Sequence, residues 1–422
     1  AGTLLCSNST TAGSKAEMAN FDHIIVGGGI IGASAAYHLA REGAGSVLLL
    51  ERNTLASAAS SRAAGMVLQV SRNTTRTAMA RQTRETIDVL VDELGADVGF
   101  HDVGSLRLAA SDKCIAHLDA MAADAARHDI PFEWLDPQAA AELIPWLDPS
   151  LVRKVGFLPS DGYVDPYMLS MAYARAAAAR GVEIRQGTAV TEVLTRNGRV
   201  VGVDTSAGRM ESDSVIDAAG AWAALLSARV GYPLPMAPVR SHYWITKPNP
   251  TYGGDHPVIT MPDVGAYARP DVGAILLGIH EPYSATFDAR ELPDDPAVFS
   301  PTVGEDHWDR LAEAAENIAR FFPGIVEAQF PNYVAGLSTY TPDGKIILGS
   351  VPGLSGFLAA SGCCGSGIVL SAGIGGTIAD LALGRAPSID IAPFRPDRFG
   401  PIDPFSVEFR DRCAASRANK SK

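Results

Sequence analysis

Cysteine, aromatic residues, positive charge and long apolar runs are all scarce in this sequence, and each shortage excludes something. Five cysteines in 422 residues, Cys6, Cys114, Cys363, Cys364 and Cys413, make an odd count without metal-ligand spacing. That argues against a disulfide-stapled fold and a zinc module, and it points to a reduced, cytoplasmic protein. The adjacent Cys363 and Cys364 sit in a Gly-rich loop and read as small buried residues, not a redox couple. Lysine and arginine number 35 against 47 aspartates and glutamates, a net charge of −12. Such an acidic chain has no nucleic-acid footprint, although a few buried arginines could still make a local site for an anionic substrate. No apolar run reaches the length of a membrane span. Residues 1–20 lack the basic start and apolar core of a secretory signal and read as a disordered leader or tag. The nine histidines show no HExxH-like spacing, and neither a metal site nor a Ser-His-Asp constellation is expected.

What is present is an ordinary globular composition, 47% hydrophobic and 19% charged, in a chain long enough for two packed domains. The stretch FDHIIVGGGIIGASAAYHLAREGAGSVLLLER (21–52) reads as a buried strand, a Gly-rich turn, a helix and a second strand. Gly27, Gly29 and Gly32 have G-x-G-x-x-G spacing: the first for the tight turn, the second for backbone approach to a pyrophosphate, the third for close helix packing. The N-terminus of the following helix, at Ile30 and Ile31, would face the phosphates. Glu51 closes the second strand, where a carboxylate accepts ribose hydroxyls. A second block (163–222) carries a helix and several strands, and GFLAASGCCGSGIVLSAGIGGTIADLALG (356–384) repeats the strand, Gly-rich turn and helix texture. Between about 235 and 335 the texture turns strand-rich and Pro-punctuated. The expected fold class is therefore α/β (α+β overall). Residues 21–105, 160–234 and 337–395 would form a Rossmann-like nucleotide-binding domain assembled from noncontiguous segments. Residues 106–159 and 235–336 would form an antiparallel-sheet substrate domain, and 396–422 a peripheral tail.

Two Gly-rich turns suit a cofactor held at both ends. Here the chain resembles the FAD-dependent D-amino acid, glycine and sarcosine oxidases, through VGGGIIGASAAYHLA, LLLER, SSRAAGM, GTAVTEV, VIDAAGAWA, AGLSTYTPDGKIILG and SGCCGSGIVLSAGIG, in family order. The resemblance runs from His23 to about Gly384. It implies that Gly27, Gly29, Gly32, Glu51 and Arg52 hold the ADP half of FAD. Ser60, Ser61, Arg62, Ala64, Gly65 and Met66 would line the pyrophosphate and flavin. Val190 would clasp the adenine side, with Ala219, Gly220 and Trp222 over the phosphates. Gly362, Gly365, Ser366, Gly367, Ile368 and Val369 would meet the pyrimidine end. Relatives attach FAD covalently through a histidine or a cysteine at positions that here are Arg62 and Gly336, which implies noncovalent FAD.

The chemistry the family implies is hydride transfer from the amine-bearing carbon of an amino acid to flavin N5. Carboxylate recognition favours arginine. Positions where relatives keep cationic anchors are here Ser338, Ser366 and Val369, so the anchor has moved. The candidates are Arg72, Arg76, Arg240, His242, Tyr267, Arg269, His280 and Lys345. A small secondary or N-substituted amino acid fits, sarcosine- or iminodiacetate-like, with O2 or another electron acceptor as partner and oligomer formation possible. The imine would hydrolyse to glyoxylate or formaldehyde plus an amine. A proline, D-amino acid or glycine dehydrogenase subunit passing electrons to a partner, and a non-catalytic flavin-binding subunit, are the alternatives.

Overall fold

In the computed structural model, residues 19–420 are described except positions 72, 96, 253 and 303. The elements that build the site begin with β1 (His23–Val26), α1 (Ile30–Arg41), β2 (Val47–Leu50) and α2 (Thr74–Leu94). There follow β3 (Ser105–Ala109), β4 (Glu133–Leu135), β5 (Lys154–Leu158), α3 (Pro166–Ala179), β6 (Glu183–Arg185) and β7 (Val215–Asp217). The central strands are β8 (Ala237–Ile245), β9 (Val258–Met261), β10 (Ala266–Asp271) and β11 (Ala274–Ile279). The chain then runs through β12 (Asn332–Tyr340), β13 (Ile347–Ser350), β14 (Phe357–Ser361), α4 (Ser371–Ala382) and α5 (Val407–Ala418).

A six-stranded sheet has the order β6-β2-β1-β7-β14-β13. Its strands are parallel except for the β13–β14 pair. Every residue of β1, β2, β7 and β14 is buried, which explains their unbroken apolar runs. Helices α1, α2, α3 and α4 cover one face, with Tyr37, Met79, Tyr173 and Ile374 in a common core. Helix α2 starts where Asn73 Oδ1 accepts from Arg76 N at 3.0 Å and stops at Gly95, φ +57°. The second sheet has eight strands, β12-β8-β11-β10-β9-β3-β5-β4, antiparallel except where β9 meets β3.

The nucleotide sheet thus draws strands from three separated segments, and the substrate sheet from residues on either side of the second of them. Strand β12 crosses the boundary expected at residue 337, because one continuous strand carries the chain from one sheet toward the other. A larger correction concerns the end of the chain. Residues 396–422 were expected to be peripheral, but α5 docks on β8 and β12 through Phe409, Cys413 and Ala414 against Ala237, Val239 and Tyr340. Among the described residues no helix is long and apolar enough to cross a membrane.

Candidate active site

Gly27 leaves β1 with φ +108°, and a Cβ there would lie 2.5 Å from Ala218 O. A Cβ at Gly32 would lie 1.8 Å from Gly27 O, so α1 packs directly on the turn. Glu51 braces the turn: its Oε2 accepts from Gly28 N at 2.7 Å and its Oε1 from Asn53 N at 2.8 Å. Ser60 Oγ accepts from Ile30 N at 2.9 Å at the start of α1. A cleft runs from here past Arg52, Val190, Ala219 and Trp222. The Arg52 guanidinium stacks 3.9 Å from the Trp222 ring centroid.

A chamber adjoins that cleft and shares Gly29, Ser60, Arg62, Gly220 and Leu337 with it. Its far wall is polar: Ser241 and His242 from β8, Tyr267 from β10, His280, and Tyr340 from β12. The Tyr267 ring has room only because residue 278 is glycine, where a Cβ would come 1.9 Å from Tyr267 Cζ. His242 Nδ1 is 3.1 Å from Tyr333 OH, and its Nε2 faces Glu281 Oε1 at 3.5 Å. Burial first, then Arg417 and Arg240, push His242 down to about 2, so the imidazole is neutral. His280 also lies well below the ordinary histidine range, from burial, Arg417 and Lys420, and its Nδ1 has no hydrogen-bond partner among the described residues. Tyr340 is pushed up to about 12, chiefly by burial, and keeps its proton. Two cations from the end of the chain, Arg417 and Lys420, also line this chamber.

The family model described as FAD dependent oxidoreductase (DAO) matches residues 22–381. The chain belongs to this family. It is 31% identical over 389 residues to glycine oxidase of Geobacillus kaustophilus, covering 89% of this chain and 96% of that protein. It is also 31% identical over 377 residues to a 4-methylaminobutanoate oxidase (formaldehyde-forming) of Paenarthrobacter nicotinovorans, covering 89% of this chain but 45% of that relative. The chain therefore spans about half the length of the first curated relatives it matches. Among solved structures, L-proline dehydrogenase from P. horikoshii shares the fold with a TM-score of 0.80 at 24% identity, covering 91% of this chain and 98% of that one.

The donors present suit the FAD of a DAO-family protein. Trp222 Nε1 and Arg52 Nη2 are buried without hydrogen-bond partners among the described residues, and both residues line the cleft beside the Gly-rich turn. Of the expected cofactor residues, Gly27, Glu51, Arg52, Val190, Ala219 and Trp222 line that cleft. Gly29, Ser60, Arg62 and Gly220 line both cavities. Ile30, Ile31, Ala64, Gly65 and Met66 line the chamber, as do Gly365, Ser366, Gly367, Ile368 and Val369. Three of the expected residues do not line either cavity. Gly32 backs onto the turn, Ser61 points its hydroxyl at Ala58 O, and Gly362 lies against Ile347 and Thr341.

The expected substrate residues separate more sharply. His242, Tyr267 and His280 come together in the chamber. Arg76 approaches through Ser366, its Nη2 donating to Ser366 Oγ at 2.6 Å. Arg240 is 1% exposed and held by Glu281 at 3.0 Å and Asp306 at 2.7 Å, so its fork is already occupied. Arg269 donates to Ala64 O at 2.6 Å and pairs with Asp271, bracing the loop before Met66. Lys345 lies in the turn before β13 and does not line either cavity. Arg72 falls outside the described residues. Missed from the sequence were Ser241, Tyr340, Arg417 and Lys420. Tyr340 stands beside the quoted TPD turn. The last two lie in a tail with no motif, Arg417 at the end of α5 and Lys420 in the turn after it.

Proposed function

We propose that the chain holds FAD noncovalently and oxidises the C–N bond of a small secondary or N-substituted amino acid. The observation carrying this reading is a dinucleotide cradle that opens directly onto a chamber of neutral imidazoles and phenols edged by cations. When bound, FAD supplies a two-electron oxidant. The protein's own part is to select the substrate's ionisation state and orientation. Arg76, Arg417 and Lys420 make the chamber a poor place for an ammonium, so the substrate amine binds neutral with its lone pair available. His242 and His280 carry no charge to oppose that choice, and the Tyr267 and Tyr340 hydroxyls stay protonated as donors. A substrate R–NH–CH2–COO⁻ then loses two electrons and two protons, and water cleaves the imine to R–NH2 and glyoxylate. Oxidation at an N-methyl group gives formaldehyde instead. With O2 as acceptor, the electrons and protons leave as H2O2.

Anaerobic mixing of yellow holoprotein with sarcosine, iminodiacetate, glycine, D-alanine and D- and L-proline tests this. Bleaching of the flavin by an N-substituted glycine but not by D-alanine is expected, followed by rapid reoxidation in O2. Bleaching by D-alanine or proline alone would sink the N-substituted reading. Denaturation should release all of the yellow chromophore into the filtrate, and chromophore retained on the polypeptide would refute noncovalent binding.

A further inference from the structure

The last turn of α5 is fixed in place. Ser406 caps its start, accepting from Phe409 N at 3.3 Å, and Ser416 Oγ donates to Thr341 O at 2.7 Å near its end. This fixes Arg417, which is 2% exposed. Its Nη1 donates to Ser284 Oγ at 2.8 Å, its Nη2 to Ile279 O at 3.1 Å and its Nε to Ser241 Oγ at 3.3 Å. Glu281 stands 3.8 Å from Arg417, but Arg240 binds that carboxylate at 3.0 Å. A guanidinium has five N–H donors, so Arg417 keeps free N–H groups on both terminal nitrogens.

Lys420 lies one turn further and donates to Gly365 O at 2.9 Å. Lys420 is exposed as a residue and lines the chamber together with Arg417. Burial first, then Arg76 and Arg417, push it down to about 7. No carboxylate among the described residues pairs with Arg76 or Lys420. Arg417 and Lys420 thus line one chamber, Arg76 reaches it through Ser366, and the carboxylate nearest Arg417 is already engaged by Arg240. Such an arrangement is costly until an anion enters.

We propose that Arg417 and Lys420, delivered by the C-terminal helix, bind the carboxylate of the substrate. The inference rests on the amino-acid reading above for the identity of the ligand. It explains how the site dispenses with cations at Ser338, Ser366 and Val369. It also restricts substrates to those bearing a carboxylate and excludes the corresponding simple amines.

The test uses FAD-loaded protein and acetate as the probe, with acetamide as its uncharged counterpart, followed through perturbation of the flavin spectrum. Wild type should bind acetate and not acetamide. Arg417→Gln should weaken acetate by at least about 10-fold, the scale of one lost charge-assisted contact. Acetate affinity should fall as pH rises through about 7, where Lys420 loses its charge, and Lys420→Met should abolish that dependence. The titratable groups facing Lys420 do not supply it: His280 stays neutral, and the Tyr340 hydroxyl and Cys364 thiol stay protonated. If Arg417→Gln loses FAD or fails to fold, Arg417→Lys and Lys420→Met decide. Acetate affinity equal to wild type in both would overturn the proposal, as would equal binding of acetamide or no acetate binding to wild type. The two readings fail separately. Acetate binding with these effects but no bleaching by any amino acid would sink the proposed reaction alone. Bleaching by an N-substituted glycine with unaltered acetate affinity in the variants would sink the anchor alone.

Discussion

Glu51 shows how much a single side chain does here. Both its oxygens accept backbone N–H groups, from the Gly-rich turn and from Asn53, before any ribose is considered. Glutamine at this position keeps one acceptor and turns an N–H toward the other donor. An unsatisfied buried donor costs about 1–3 kcal/mol. Glu51→Gln is therefore expected to destabilise the apoprotein by about 1–3 kcal/mol, read as a lowered urea midpoint, and by loosening the turn to weaken FAD binding as well, measured by flavin fluorescence on titrating apoprotein. Unaltered FAD affinity would show that Glu51 serves only the turn. Arg240 illustrates the opposite case. Its sequence context, VRSHYWI, lies in the strand-rich stretch expected for the substrate domain, and the strand is there. What the sequence cannot display is that Glu281 and Asp306, 41 and 66 residues away, converge on the same guanidinium. A long-range ion pair of that kind leaves no local trace in composition or periodicity.

At the scale of elements, legibility followed the strength of the local signal. The strands β1, β2 and β14 are buried apolar runs, and the turns after β1 and β14 are Gly-rich, so both strand-turn-helix units are legible in the sequence. The strand β8 falls in the segment whose strand-rich, Pro-punctuated texture marks the second sheet. Helix α5 was not read as part of the site because its apolar face is short and interrupted: Phe409, Cys413 and Ala414 within VEFRDRCAASRA. Its docking depends on a small cluster, so one deletion should release it. Phe409→Ala removes a nearly buried aromatic ring, a change typically worth about 3–5 kcal/mol. The expected result is protease sensitivity confined to the C-terminal segment, retained flavin absorbance, and acetate affinity reduced at least as far as in Arg417→Gln. Wild-type acetate binding in Phe409→Ala would mean that the helix is held by its hydrogen bonds to Thr341, Ser284 and Ser241 without the apolar contact.

For the whole molecule, the charge is arranged against its average. A chain with a net charge of −12 gathers uncompensated cations around one chamber and buries a carboxyl, Asp217, at the end of β7 beneath the cleft. Burial raises Asp217 to about 8, opposed only by the Ala219 N–H, which it accepts at 3.1 Å. The native carboxyl then keeps a proton that the unfolded chain releases near pH 3.9. Between about pH 4 and 8 the unfolded state binds fewer protons at this group, so its contribution to stability falls as pH rises across that window and levels off above 8. Other carboxylates act oppositely and elsewhere: Arg290 and Arg410 hold Asp288 down to about 2, and its contribution is lost only in stronger acid. Asp217→Asn can keep the Ala219 hydrogen bond while losing the ability to ionise. Urea midpoints of the wild type should therefore decline from pH 5 to pH 8 relative to Asp217→Asn, with the variant the more stable at pH 8. Parallel pH profiles for the two proteins would place the proton elsewhere.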